Sequence, residues 1–476
     1  MLYRNIISSI FCSFILIACV PKFDKIDKTD ETKIINELNS LKLTDNKNEL
    51  TTKWWELFND EQLNSIITKA LNESASLKSL EQRYEKANSI IKAVESENLP
   101  NISFESSITR ERFSLNHIFP APLGGGIFTG YHSATTLDYK FDFWNERKSR
   151  IKSAKNRAIA ELALIEESRL NLALGITQLY LSWSFNEKKV EEFENIVHIL
   201  NSELDIMKQR YESGLIDEVS LNNKKAQIFQ VKNNIYSIQE IIKGQKASMC
   251  ILGGFLPSYA ENMNKPKISN TINLTLAKEL PLNLLSQRAD VSIQKYIVLS
   301  NEQNINIASA KFYPNINLSS LLGFTSFDSS KFLTKSSTVP SLGVALDLPI
   351  FDWGKREANL DEKVIDYNSS VYEYNDIVNK AANEVIGVLK KIEYKNLQLD
   401  MHEKELKTKK TNEHIENRKF EIGLNDKVPY FDSQINTLMN EILGLDLIES
   451  HTKLQLELIK ALGGGFKEED IKNGRS

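Results

Sequence analysis

The feature that most constrains this chain is an internal repeat with a constant offset. A strand-like segment around Asp138 leads into a long helical pattern that ends at Gly214, and the same order recurs around Asp347 and ends at Gly423. The second copy lies 209 residues after the first throughout. Each helical stretch takes 67 residues from an arginine to its glycine, which corresponds to roughly 100 Å of helix. The repeat therefore predicts one elongated body built from two halves rather than a compact enzyme fold.

Both long helical stretches carry apolar residues at seven-residue intervals, which predicts coiled-coil packing with neighbours on both sides. After each terminal glycine a return helix is predicted, over 218–252 and 428–462. The line in the first stretch is Ile151, Ala158, Ile165, Leu172, Leu179, Phe193, Leu200 and Met207, and that in the second is Val364, Val371, Val378, Val385, Ile392, Leu399 and Leu406.

Four segments alternate between apolar and polar residues and are predicted as strands with one apolar and one polar face. They are residues 101–109, 136–143, 315–324 and 341–350, with loops predicted over 114–130 and 326–339. Strands of about ten residues span a bilayer when tilted. Sheet edges cannot remain unpaired in lipid, and four strands are too few to close a barrel. We therefore expect an oligomer in which a short β-barrel, lined by the polar face, joins a long α-helical cylinder.

The amino terminus has the pattern of an export signal followed by a tether. Residues 1–18 contain a short apolar run that ends in Leu16-Ile17-Ala18 directly before Cys19. This resembles a bacterial lipoprotein signal and implies that Cys19 becomes the first residue and is acylated, for example with palmitate; Val20 implies sorting to an outer membrane. The remaining ranges are a lipid-anchored tether (19–53), a first repeat (54–253), a linker (254–281), a second repeat (282–465) and a tail (466–476).

Composition excludes several classes of function. The net charge of −4 gives no electrostatic case for nucleic-acid binding. Of three cysteines, two lie in the first 20 residues, so Cys250 has no partner for an intrachain disulfide in the mature chain. The six histidines lack metal-ligand spacing, and no nucleophile elbow or P-loop is present. We expect no catalytic site, cofactor or metal.

A series of motifs across 54–465 resembles the outer-membrane efflux lipoproteins of the TolC/OprM superfamily. The resemblance implies an α+β membrane protein: three protomers each give four strands to a 12-stranded β-barrel, which is continuous with a helical tunnel in the periplasm. That tunnel receives substrates from an inner-membrane transporter through a periplasmic adaptor protein. The family usually has proline at the position of Ala289. The motifs are Trp54-Trp55-Glu56-Leu57-Phe58, Asn98-Leu99-Pro100, Leu284-Leu285 with Arg288-Ala289-Asp290, and Arg210-Tyr211-Glu212-Ser213-Gly214-Leu215.

The resemblance also implies a narrow aperture at the periplasmic tips of the helical hairpins. The family's ring aspartate, nine residues after the second hairpin glycine, is Asp432, and the corresponding position in the first hairpin is Asn223. Three copies of Asp432 around an axis would favour cations. Alternatively, Asp432 is a surface residue near a helix start that the helix dipole stabilises. A second ring is not expected, because its position is Pro429.

Two further roles are implied for the tips. The family's polar latch is not expected, because its positions hold Phe420, Asn425 and Ser220. Asp217 or Glu218 with Lys427 is a possible replacement. The tips themselves, Gly214-Leu215 and Gly423-Leu424, are expected to dock the adaptor, although C-capping alone explains the two glycines.

We therefore expect a homotrimeric exit duct of a tripartite pump, anchored in outer-membrane lipid, that conducts small molecules passively. One alternative is the outer-membrane duct of a type I protein secretion system. A different class, a lipid-anchored coiled-coil scaffold or adhesin, would not need the four alternating strands. An enzyme is the least expected class.

Overall fold

The computed structural model describes Lys25, Pro120 and residues 51–116, 123–267 and 287–472. The predicted signal, Cys19, most of the tether and much of the linker lie outside the described residues. The elements, in chain order, are α1 (Glu61–Glu73), α2 (Ala75–Ser96), β1 (Asn101–Arg112), β2 (Ile127–Lys140), α3 (Glu146–Glu212), α4 (Glu218–Gly253), α5 (Ser258–Glu261), α6 (Ala289–Ala310), β3 (Asn315–Ser326), β4 (Thr338–Asp347), α7 (Lys355–Glu421), α8 (Val428–Ala461) and α9 (Glu468–Lys472).

The chain divides into two compact units. One includes Arg83–Glu161 and Gln294–Tyr374 and contains the sheet. The other includes Leu162–Ile293, Asn375–Ser476 and the described residues from 51 to Gln82, and contains the helical hairpin ends.

The sheet of the first unit is antiparallel, with its strands in chain order from β1 to β4. All four predicted strands are present, but the predicted loop over 114–130 was wrong at its end, because β2 begins at Ile127. Gly130 pairs with Thr109 in the ladder. Glycine is a weak strand former, and here the ring of Phe327 lies over it. Likewise, β4 begins at Thr338, inside the second predicted loop.

The register places most of the apolar residues of the four strands on one face, as predicted, although Phe128, Leu321 and Val339 lie on the other face. Ile102 lies opposite Leu137, which lies opposite Ser320, which in turn lies opposite Leu342. Directly paired residues share a face. The apolar face therefore includes Ile102, Phe104, Ile108, Tyr131, Leu137, Tyr139, Ile316, Leu318, Leu322, Phe324, Leu342, Val344 and Leu346, and the polar face includes Asn101, Ser103, Glu105, Ser107, His132, Thr136, Asp138, Ser319, Thr325 and Ser341.

Every long connection leaves the sheet at the same end. Helix α2 leads into β1 and α3 follows β2, while α6 leads into β3 and α7 follows β4. We call this the helix end of the sheet. The two loops, 113–126 and 327–337, join the strands at the opposite end, which we call the loop end.

The long helices match their predictions closely. Helices α3 and α7 each contain 67 residues, and their first residues, Glu146 and Lys355, keep the 209-residue offset. The return helices α4 and α8 end at Gly253 and Ala461, each one residue from the predicted end.

The core of the second unit forms where α1 meets α3, α4 and α8. Trp54 and Phe58 of the preceding 3-10 helix are buried in it. The sequence predicts Asp60 as the N-cap of α1, and its side chain accepts a hydrogen bond from the Leu63 amide at 3.0 Å. Asp60 also accepts the hydroxyl of buried Tyr180 at 3.0 Å. Burial and the Asp60 charge raise the pKa of Tyr180, so it is a neutral donor.

Helical spacing of apolar residues from Leu63 onward predicts one unbroken helix to about residue 98, and this prediction was wrong. It breaks at Ser74, whose backbone is extended at ψ 119°. Gly254, in the left-handed region at φ +71°, lies against the backbone of Glu73 and Ser74. The close approach of these two backbone segments explains the break, and a local sequence pattern cannot reveal it.

Arg288 fixes the start of the second half. Its buried guanidinium donates to Asp290 at 2.7 Å, to Glu384 at 2.8 Å and to the Ala461 carbonyl at 3.1 Å. It thereby binds a carbonyl at the C-terminal end of α8, a favourable place for a cation. Ala289 is the first residue of α6. Proline is favoured at that position because its missing N–H is not needed there, which fits the usual proline of the family.

Candidate functional site: the two hairpin tips

The tips, which we define as residues 210–223 and 419–432, end their long helices in the same way. Gly214 has φ +72° and Gly423 has φ +74°. The Leu215 amide donates to the Arg210 carbonyl at 2.8 Å, and the Leu424 amide donates to the Lys419 carbonyl at 2.9 Å. This is the Schellman pattern of a helix C-terminus, so capping explains both glycines. It does not explain the two leucines, which remain 73% and 70% exposed.

An aspartate lies directly before the return helix at the first tip and one residue earlier at the second tip, where Lys427 is the N-cap. Asp217 accepts the Ser220 amide at 2.8 Å, and Asp426 accepts the Val428 amide at 2.9 Å. Hydrogen bonds from Ser220 hold the pKa of Asp217 below its usual range. The pKa of Asp426 is lowered by the Val428 hydrogen bond and further by Arg210. Both carboxylates are therefore anionic at neutral pH and satisfy a free helix N–H group.

An ion pair joins the two tips within one chain. Arg210 Nη2 lies 2.8 Å from Asp426 Oδ2, although the residues are 216 positions apart. The sequence interpretation missed this pair. Arg210 lies four residues before the first hairpin glycine and Asp426 lies three residues after the second, but this spacing alone does not pair them. The corresponding cation of the second tip, Lys419, instead pairs with Glu416 of its own helix at 2.6 Å.

The predicted replacement latch is not formed within the described residues of one chain. Asp217 caps α4, and Glu218 lies in the first turn of that helix. The Lys427 ammonium lies 4.9 Å from the ring centre of Phe431 and 5.7 Å from that of Phe420. These are cation–π distances. A contact of these three residues between protomers stays a prediction.

The predicted aperture residues are both exposed on return helices. Asp432 is the fifth residue of α8, and Asn223 is the sixth residue of α4. A helix dipole acts mainly within the first turn, so it stabilises Asp432 only weakly. No hydrogen bond joins the two residues within the described part of one chain, and their place in a ring stays a prediction.

A partly buried ion cluster holds α3 against α8 in the second unit. Lys189 Nζ lies 2.5 Å from Asp446 and 3.1 Å from Glu449, which also accepts the Ser182 hydroxyl at 2.7 Å. Burial acts to lower the pKa of Lys189, but its hydrogen bond to Asp446 and the charge of Glu449 outweigh burial and raise it. The cluster fixes the two hairpins side by side.

No helix among the described residues is both long enough and apolar enough to cross a membrane.

Within residues 51–116, 123–267 and 287–472, no group of three His, Cys, Asp or Glu side chains is arranged to hold a metal ion. Cys250 is buried, and burial raises the pKa of its thiol. A buried thiol of this kind is chemically inert.

The family model of the outer membrane efflux protein matches residues 66–243 and 280–464, more than half of the chain. The chain belongs to the outer membrane efflux protein family. Multidrug resistance outer membrane protein MdtP of Escherichia coli strain K12 is 25% identical over 430 residues, covering 87% of this chain and 86% of that protein. The resemblance stated from the motifs is therefore confirmed, and so is the location in the outer membrane.

Solved structures of similar proteins agree with this membership. The outer membrane protein VceC of Vibrio cholerae superposes with a TM-score of 0.80 at 25% identity, covering 88% of this chain and all of VceC (100%). The CmeC outer membrane channel of Campylobacter jejuni gives a TM-score of 0.83 at 20% identity, covering 96% of each chain. This outer membrane efflux protein thus shares the fold of those proteins along nearly its whole length.

Proposed function

We propose that this outer membrane efflux protein is the exit duct of a multidrug efflux pump. The duct conducts small molecules passively, and an inner-membrane transporter supplies the energy. A similar relative is named a multidrug resistance protein, which favours small molecules over a secreted protein as cargo. The scaffold or adhesin alternative loses its support, because the chain contains the amphipathic sheet that a scaffold would not need.

The sheet is the observation that carries this proposal. Its outer strands β1 and β4 have no partner strand within the described chain, and its two faces differ in polarity. Such a sheet is stable in lipid only when closed, with the apolar face outward. Three copies supply twelve strands. A homotrimer is thus the assembly that we propose, with a 12-stranded β-barrel around a water-filled lumen.

In the second unit, we assign the aperture of the duct to the hairpin tips. Asp432 supplies the charged ring, and Asn223 supplies a neutral position beside it. Leu215 and Leu424 form the docking surface for a periplasmic adaptor, since both are exposed and apolar. Exposed apolar residues mark partner contacts when they form a contiguous patch, and the Arg210–Asp426 ion pair brings the two tips together.

The predicted domain boundaries complete the proposal. The 209-residue offset between α3 and α7 supports an internal two-fold repeat over 54–253 and 282–465. Acylation of Cys19 would attach the tether 19–53 to the outer membrane. Replacing Cys19 with Ser tests this anchor; retained acylation or unchanged gel mobility would contradict it.

The assembly and the channel are tested together. The molar mass of the purified protein is measured in detergent by light scattering. The protein is then added to planar lipid bilayers. We expect a trimer that produces stepwise ionic currents. A monomer that produces none would overturn the proposal and restore the scaffold alternative.

A further inference from the structure

The apolar face of the sheet ends in two arginines at its loop end. Alternation along β1 places Arg110 and Arg112 on the same face as Ile102, Phe104 and Ile108. Arg110 lies opposite Thr129 and Arg112 lies opposite Ile127. Both arginines are exposed. If the proposed barrel forms, on which this inference rests, these two cations point toward lipid rather than into the lumen.

Aromatic side chains at the loop end of the sheet indicate where the membrane interface would lie. Phe332 packs against Tyr131 and Phe324, with ring centres 5.8 and 6.4 Å apart, and both partners lie on the apolar face. At the helix end, Tyr139 and Phe141 pack at 5.0 Å. Aromatic girdles of this kind border the apolar band of membrane barrels. Tyr131 and Tyr139 are eight residues apart, or about 19 Å in height for a strand tilted by about 45°.

The arginines lie just beyond this girdle. Tyr131 is paired with Ile108, so Arg110 and Arg112 come two and four residues further along the strand. These steps correspond to heights of about 5 and 10 Å at the same tilt. The headgroup layer on each side of a bilayer is about 5 to 8 Å thick. The long side chains of both residues therefore reach the headgroups.

No acidic side chain among the described residues pairs with either guanidinium. Glu111, between them, belongs to the polar face. In the part of the chain that the structure describes, their one polar partner is the Gly125 carbonyl, 3.3 Å from Arg112 Nε. The helix end differs, because Lys140 and Arg150 both pair with Glu146, at 2.8 and 2.7 Å. Two unpaired guanidiniums on a lipid-facing surface need an anion from outside the chain.

We propose that Arg110 and Arg112 bind the phosphates of lipid A, the phosphorylated glycolipid of the outer leaflet. The loop end lies opposite all four helices and therefore faces the cell exterior in the proposed duct. Planar guanidinium groups bind phosphate oxygens in a bidentate manner. The site would fix the depth and rotation of the barrel in the outer membrane.

The test compares two double variants of the full-length chain. Arg110→Gln/Arg112→Gln removes the proposed site, and Lys331→Gln/Lys335→Gln removes the same charge from the adjacent loop. Binding of diphosphoryl lipid A to delipidated protein in detergent is titrated by native mass spectrometry. We expect the arginine variant to bind about tenfold more weakly or worse. The lysine variant should match the parent, and dephosphorylated lipid A should bind the parent as weakly as lipid A binds the arginine variant.

Three outcomes would overturn the site: no lipid A binding by the parent, equal losses in the two variants, or equally tight binding of phosphatidylglycerol. The same preparations are recorded in phosphatidylcholine bilayers without lipid A, where conductance tests the duct alone. Normal currents with no lipid A binding would overturn only the headgroup site, and binding without currents would overturn only the duct. Melting temperatures equal to that of the parent confirm that the variants are folded.

Discussion

The two hairpin tips share most of their backbone geometry and differ in their charges. Each long helix ends with a glycine at positive φ, and an aspartate three residues later accepts an amide of the return helix. Asp217 is the N-cap of α4, whereas Lys427 lies between Asp426 and α8. The pairs Gly214 with Gly423 and Asp217 with Asp426 all keep the 209-residue offset. A reversal of this kind must satisfy the free carbonyl and N–H groups of two helix ends. The residues that the two tips share are those that satisfy these backbone groups.

The residues that differ are those that the turn does not need. Asn223 of the first tip corresponds to Asp432 of the second, and Arg210 corresponds to Lys419. Only the arginine of this pair reaches across to the other hairpin, where it binds Asp426. The comparison separates the residues that build the tips from those that give them a charge pattern. We therefore assign the function of the tips to the residues that give them their charge pattern.

The largest effect that we expect at the level of the fold comes from the glycines. Gly214→Ala and Gly423→Ala each put a side chain at positive φ, which costs about 1 to 2 kcal/mol of local stability. Because the turns are alike, the two losses should be equal within error. Hydrogen exchange of the Leu215 and Leu424 amides measures each loss, and a loss at one tip alone would break the comparison.

Replacing the cations Arg210 and Lys419 should have smaller and unequal effects on stability. Arg210→Gln removes the link between tips, whereas Lys419→Gln removes only a pair within one helix. A double-mutant cycle of Arg210→Gln with Asp426→Asn should give a coupling of about 0.5 to 1 kcal/mol, because the pair is partly exposed. The control cycle of Lys419→Gln with Glu416→Gln should give a smaller coupling, because that pair is exposed and lies within one helix. Equal couplings would show that the link between tips contributes nothing special.

The smallest effect concerns pH. The folded pKa values of Asp217 and Asp426 are lowered, so their caps stabilise the tips above the ordinary aspartate pKa of about 3.9. That stability is lost as pH falls through the lowered values, below about pH 4. Exchange of the Ser220 and Val428 amides should therefore accelerate, relative to intrinsic rates, only in that range. A transition near pH 6 would contradict this assignment; Asp217→Asn and Asp426→Asn should remove the transition.

Local periodicity was enough to predict most of the fold. The seven-residue lines and terminal glycines placed α3, α4, α7 and α8 within one or two residues of their observed ends. Strand alternation predicted the two faces of the sheet, because side chains must alternate whatever the partner strand is. The cap at Asp60 was also readable, since it depends on the next three residues only.

Features that depend on distant segments could not be read from the sequence. The break at Ser74 follows from the backbone of Gly254, and the ion pair of Arg210 joins residues from different hairpins. A charged residue on a helix has many possible partners, and only the packed structure selects one. The role of Asp432 depends on other copies of the chain, so the fold of one chain leaves it a prediction.

The most direct test of the account moves the charge of the aperture from one tip to the other. Single-channel ion selectivity is measured in planar bilayers for the parent, for Asp432→Asn and for the exchange variant Asp432→Asn/Asn223→Asp. We predict a cation-selective parent, a several-fold loss of cation preference in Asp432→Asn, and substantial recovery in the exchange variant. Equal selectivity of the parent and Asp432→Asn would contradict the assignment of the aperture to the second hairpin tip.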